Sequence, residues 1–219
     1  MSMVGNSPWR KAISGLSLVR LAMNDPMTRR FVIWIDAVGG FLVCLADEVT
    51  FGQATADSRV DVPLVADVAR RHATIRRDDE GYVLDPAGET WLDGRSIQSP
   101  APLADSAALR LGPVALQFRQ PHPLSATARV ELASPHRMRP SYDAVLLLAQ
   151  SCVMGPRPTS HIVCPDWPQE VVLFHTAGKL DCRFPGEFEI DGRMHTDGGR
   201  VGFNSCVAGE GLSFTLEEL

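Results

Sequence analysis

From Phe31 onward the apolar positions of the chain recur at every second residue. FVIWID, FLVCLA, VDVPL, ATIRR and GYVLD are short runs rich in Val, Ile and aromatic residues, the composition of a pleated, half-buried surface. Turn chemistry at Gly39-Gly40 and at residues 78–81, DDEG, punctuates them. VALQFR, residues 114–119, alternates most cleanly: Val114, Leu116 and Phe118 form one row, Ala115, Gln117 and Arg119 the other. Residues 121–140 carry Pro121, Pro123, Pro135 and Pro140 without a sustained pattern and are expected to be a Pro-rich linker. Strands resume with AVLLLAQ, HIVCP, VVLFH, LDCRF and LSFTL. Helical periodicity is confined to Trp9, Ile13, Leu16 and Arg20, which predict one short amphipathic helix in an N-terminal extension, residues 1–30. The pattern predicts an all-β protein.

One phrase occurs twice. GETWLDGR begins at residue 88 and GEFEIDGR at residue 186, with Gly, Glu, Asp, Gly and Arg identical in both. The likeness extends in order on both sides: ATIRR at 73–77 falls on VVLFH at 171–175, VDVP at 60–63 on IVCP at 162–165, and FGQ at 51–53 on MGP at 154–156. An ordered series of matches implies duplication of a β domain. Within each octet, Asp-Gly is a tight-turn dipeptide closing a short strand, which reads as scaffold rather than as a catalytic loop.

Composition narrows the class. Of 219 residues, 45% are hydrophobic and 21% charged, ordinary for a globular protein, and the net charge of -5 argues against a general nucleic-acid binder. No stretch approaches the roughly 18 apolar residues of a membrane span. Arg20 interrupts AISGLSLVRLAM, so no targeting segment is expected. The five cysteines lack any C-x-x-C pair and lie mostly in apolar runs, as reduced core residues of a cytoplasmic protein do.

No nucleophile, base or metal arrangement stands out. His161 and Cys164 are spaced H-x-x-C but have no second pair nearby, and Asp78, Asp79 and Glu80 read as a solvated hairpin tip. Neither a catalytic site, a metal site nor a cofactor is expected. The chemistry on offer is a basic cluster: Arg70, Arg71, His72, Arg76 and Arg77 fall within eight residues of an acidic chain, and guanidinium forks suit phosphate or carboxylate groups.

The order of pieces over residues 31–119 resembles the forkhead-associated (FHA) domain. Gly52, Asp61-Val62, Arg70-x-His72-Ala73, Leu84-Asp85, Thr90-x-Leu92-x-Gly94 and Leu111-Gly112 follow that family's plan. The resemblance implies an eleven-stranded β-sandwich whose loops at one end bind a phosphothreonine peptide. It therefore implies two tandem FHA-like β-sandwich domains, residues 31–120 and a shortened, diverged copy at 141–219.

The departures from the family plan shape the functional expectation. The family's phosphate-contacting arginine falls at Gln53, its serine at Ala69, and its peptide-holding asparagine near Gly88 or Glu89. Arg59, Arg70, Arg71 and Thr90 are the candidate contacts to a phosphorylated or acidic partner, and His72 the residue that braces the loop. In the second copy, PDWPQE replaces the basic loop with Asp166 and Glu170, and Trp167 is either a loop plug or an exposed anchor for a partner. The expected function is a non-catalytic protein-interaction or scaffolding module, largely independent of phosphate; a phosphothreonine-peptide reader through the first copy and a structural assembly subunit are the alternatives.

Overall fold

The computed structural model describes residues 30–122 and 124–219. The expected amphipathic helix over residues 9–20 lies outside them. Among the described residues every regular element is a strand. The first half contains β1 (Arg30–Ile35), β2 (Gly39–Cys44), β3 (Glu48–Gln53), β4 (Val62–Val65), β5 (Ala73–Asp78) and β6 (Gly81–Pro86). It continues with β7 (Thr90–Leu92), β8 (Arg95–Ile97), β9 (Ala101–Leu103), β10 (Ala108–Leu111) and β11 (Val114–Arg119). The second half contains β12 (Ala128–Leu132), β13 (Arg137–Met138), β14 (Ala144–Leu147), β15 (Ser151–Gly155), β16 (Ile162–Val163) and β17 (Val171–Thr176). It ends with β18 (Lys179–Arg183), β19 (Glu187–Ile190), β20 (Arg193–Thr196), β21 (Gly199–Val201), β22 (Cys206–Gly209) and β23 (Leu212–Glu218).

These strands form a twelve-stranded sheet, β20-β19-β22-β23-β1-β2-β14-β12-β11-β10-β7-β8, flanked by two smaller sheets, β13-β4-β3-β5-β6-β9 and β16-β15-β17-β18-β21. The smaller sheets cover opposite faces of the large one. Phe31, Ile33, Phe41, Val43 and Leu146 pack into one core with Leu173 of the five-stranded sheet. Val32, Leu42, Cys44, Val145 and Leu147 pack into the other with Phe51 and Ile75 of the six-stranded sheet. Successive side chains of β1, β2 and β14 thus enter different cores. This is why FVI, FLVC and AVLL are continuous apolar runs: a strand covered on both faces has no polar row.

The pairing joins the halves through their opening hairpins. β1 pairs antiparallel with β23, the last strand of the chain, and β12 pairs antiparallel with β11. The order β8-β7-β10-β11-β12-β14 in one arm of the large sheet is matched by β20-β19-β22-β23-β1-β2 in the other. At the seam β2 and β14 run parallel, Phe41 beside Ala144 and Cys44 beside Leu147. Parallel strands at the centre, mirrored order outward and cores on opposite faces together describe a half-turn rotation about an axis running along the strands between β2 and β14.

The span expected as a linker, 121–140, is corrected by this arrangement. It holds β12 and β13, and Ala128 and Val130 are buried while Arg129 and Glu131 alternate with them and pair at 3.0 Å. The alternation ARVEL is only five residues long and sits between prolines, which hides it. The repeated octets form equivalent hairpins. Asp93-Gly94 (φ 49° and 77°) and Asp191-Gly192 (φ 51° and 78°) both adopt the left-handed turn that Asp-Gly favours. Each aspartate then accepts a hydrogen bond from the next strand, from the Ala108 amide at 2.8 Å and from the Cys206 amide at 2.8 Å. The Cys206 amide and then the Ser205 hydroxyl hold the Asp191 carboxyl below its usual range.

Candidate functional site

The connection from β3 to β4, residues 54–61, folds over the outer face of the six-stranded sheet and is fixed at its end by Asp61. That carboxylate accepts hydrogen bonds from the Thr50 amide at 2.8 Å and the Thr50 hydroxyl at 2.7 Å. Arg30 of β1 donates to the Asp61 carbonyl at 2.7 Å, so the hairpin that belongs to the far arm of the large sheet also holds this loop.

The next connection, from β4 to β5, lies directly on β3. The Gln53 amide donates to the Ala69 carbonyl at 3.0 Å and the His72 amide to the Phe51 carbonyl at 2.8 Å. A Cβ at Gly52 would stand 2.1 Å from the Arg70 carbonyl oxygen, so only glycine admits the loop there. His72 is buried, and its Nδ1 accepts from the Ala69 amide at 3.0 Å. The hydrogen must then sit on Nε2, which donates to the Glu89 carbonyl at 2.9 Å. The Ala87 and Gly88 amides donate to the His72 carbonyl, both at 2.8 Å. One residue thereby ties two loops together.

Between the 54–61 loop and the Arg70-Arg71 turn lies a cavity of about 530 Å³. Arg59, Arg70 and Arg71 line it together with Glu48, Asp57 and Asp61. Three of the four candidate contacts are therefore brought together and exposed. Thr90 is not among them: it is fully buried, and its hydroxyl donates to the Gly88 carbonyl at 2.9 Å, so it reaches no partner. Gln53 is half-buried, and Ala69 and Glu89 are exposed at the positions noted in the sequence.

Residues 49–112 match the FHA domain family. The matched stretch runs from β3 to the turn after β10 and holds Arg59, Arg70, Arg71, His72 and Thr90. FHA domains are protein-interaction modules that in general bind phosphopeptides. No curated protein matches the sequence.

The loops of the second half that follow β15 and β16 have different chemistry. Trp167 is only 6% exposed and packs against Phe214 with ring centroids 6.2 Å apart; it plugs the core and is not an exposed anchor. Its proline-bounded loop turns the indole inward, where it finds the apolar contacts that solvent would deny it. Arg157, beside Pro156, is paired with Glu170 at 3.5 Å. His161 stands where Asp61 does: its Nδ1 accepts from the Val153 amide at 2.8 Å, as Asp61 accepts from Thr50. Burial, then the neighbouring His122 and Arg129, push the His161 pKa down to about 4. Cys164 donates its thiol to the Ile162 carbonyl at 3.8 Å.

Sequence reasoning missed Arg30 and Asp61 as the residues that shape the cavity. The signal for Asp61 lay in the DVPL strand start. Arg30 carried none, because its partner loop is reached only through the large sheet.

Proposed function

We propose that the chain is a non-catalytic protein-interaction module that recognises an acidic partner through Arg59, Arg70 and Arg71, largely without phosphothreonine. The observation that carries this reading is the convergence of these exposed arginines on one cavity, while Gln53 and Ala69 occupy the positions where the FHA family places its phosphate contacts. A hydrogen bond to a charged group is worth about 1.5–3 kcal/mol, so losing two costs about 3–6 kcal/mol, or roughly a hundred- to ten-thousand-fold in affinity. The arginines that remain can hold a carboxylate as well as a phosphate. Phosphothreonine reading through the FHA-matched half is the second reading, favoured by the retained Arg70 and the His72 brace.

The same reading makes residues 128–219 a second, diverged copy of the module, supported by the matching strand order in the two arms and by the equivalent octet hairpins. Its acidic loop suits scaffolding rather than anion binding. The five free cysteines fit a reducing compartment such as the cytoplasm. The test is a titration of a phosphothreonine-peptide library and its unphosphorylated twin against the protein and an Arg70→Ala variant. Equal binding of both libraries, weakened in the variant, is the expected result. Binding that requires phosphate overturns phosphate independence, and binding of neither favours an assembly subunit.

A further inference from the structure

The basic surface extends beyond the cavity, and the extension comes from the second half of the chain. β13 covers the side of β4 that faces away from β3, pairing Arg137 with Val65 and Met138 with Leu64. The Arg139 amide continues the contact, donating to the Pro63 carbonyl at 3.0 Å. Met138 and Leu64 are buried, so alternation puts Arg137 and Arg139 on the outer face beside Val65, which is 53% exposed. On the other side of β4, Gly52 lies beside Pro63, and the chain at Arg70 rests on Gly52. Gly52, Pro63 and Arg139 thus form one row across neighbouring strands. With strands about 4.8 Å apart, the backbone of Arg139 lies about 10 Å from the point where Arg70 crosses.

Arg59, Arg70, Arg71, Arg137 and Arg139 are all exposed, and none makes an ion pair among the described residues. The acidic groups nearby are Asp61, already held by Thr50; Glu48, which faces Arg76 across the β3–β5 pair; Asp57 on the 54–61 loop; and Asp67, where its loop meets Gly112. The strip over Pro63 and Val65 toward β13 therefore has exposed arginines on both sides, and its centre is apolar.

We propose that this strip docks an extended acidic segment of a protein partner, lying across Pro63 and Val65 with its carboxylates held between Arg70-Arg71 and Arg137-Arg139. The proposal rests on the cavity reading above and deepens it, naming the partner class and adding two residues that the FHA-matched half does not supply. Guanidinium groups spread over about 10 Å suit successive carboxylates of an extended chain, at about 3.3 Å per residue, better than one phosphate. No aromatic ring stands on the row to stack a base.

The full chain is titrated, by fluorescence anisotropy, into a labelled peptide of about eight residues that alternates glutamate and valine. Wild type binds, and added salt weakens the complex. Arg137→Gln with Arg139→Gln lowers affinity about fivefold or more. Arg137→Glu with Arg139→Glu abolishes binding and gains the twin peptide in which lysine replaces glutamate, a gain that only a folded protein can show. Unchanged affinity in the glutamine variant overturns the strip; if Arg70→Gln with Arg71→Gln still weakens binding, the cavity reading survives without β13. Failure of wild type to bind the glutamate peptide, or tighter binding of a single-stranded oligonucleotide of equal charge, overturns the acidic-peptide assignment.

Discussion

His161 shows how one side chain couples the second half to pH. Its ring is fully buried, and among the described residues no hydrogen bond reaches Nε2, so protonation would place a charge without a partner there. The unfolded chain takes up a proton near pH 6.5, whereas the folded protein resists until about pH 4. Between these values the unfolded state holds more protons, and stability falls as pH falls, by at most about 1.4 kcal/mol per pH unit. Urea midpoints at several values across that window should drop steadily for wild type. His161→Asn keeps an acceptor for the Val153 amide but does not titrate, so its midpoint should lose most of this slope. His72 gives a second expectation at this scale: His72→Ala leaves the Ala69 amide without its acceptor and frees two loops, at a cost of about 1–3 kcal/mol in urea unfolding. The place of His72 in the family plan could be read from the sequence. The burial of Thr90 and Trp167 could not, because which face of a three-residue strand or a short loop meets the core is decided by packing.

At the scale of elements, strand existence was written in the sequence and strand partnership was not. The runs around β1, β2 and β14 are apolar at nearly every position, and an apolar run of that length is equally a strand with one buried face too many or a strand between two cores. Nor does local pattern say which arm of the large sheet a hairpin joins, since β11 and β23 present equivalent pairing edges. The observed choice has a measurable consequence. Ile33 sits in β1 opposite Leu216 of β23, in the core shared with the five-stranded sheet. Ile33→Ala should cost about 2–5 kcal/mol, and native-state hydrogen exchange should lose protection first along β23 and β22, in the second half. Loss confined to β3 and β5 would place the hairpin in the wrong arm. The linker reading failed for a related reason: β12 is legible only once Val130 and Ala128 have a core to face.

For the molecule as a whole, the shared central strands bind both cores into one cooperative body. Removing any of β1, β2 or β14 strips apolar contacts from both sides of the large sheet at once. Calorimetry should therefore record a single unfolding transition, with calorimetric and van't Hoff enthalpies equal, where two sandwiches on a flexible tether would give two. The sequence shows the octets at 88–95 and 186–193 but keeps silent on this fusion, because a recurring phrase is linear and the fusion is a matter of which surfaces meet.

The half-turn axis along the strands has one more consequence. Rotation about an axis leaves height along that axis unchanged, so the 54–61 and 66–72 loops of the first half and the 156–161 and 164–170 loops of the second emerge at the same pole. One side of that pole presents Arg59, Arg70 and Arg71 beside Asp57 and Asp61, and the other Asp166 with the Arg157–Glu170 ion pair. The molecule thus has one end where two unlike sets of loops stand side by side and an opposite end made of hairpin tips. Any partner broad enough to touch both sides would meet different side chains on each, and would be seated in one orientation out of the two that the near-symmetry offers.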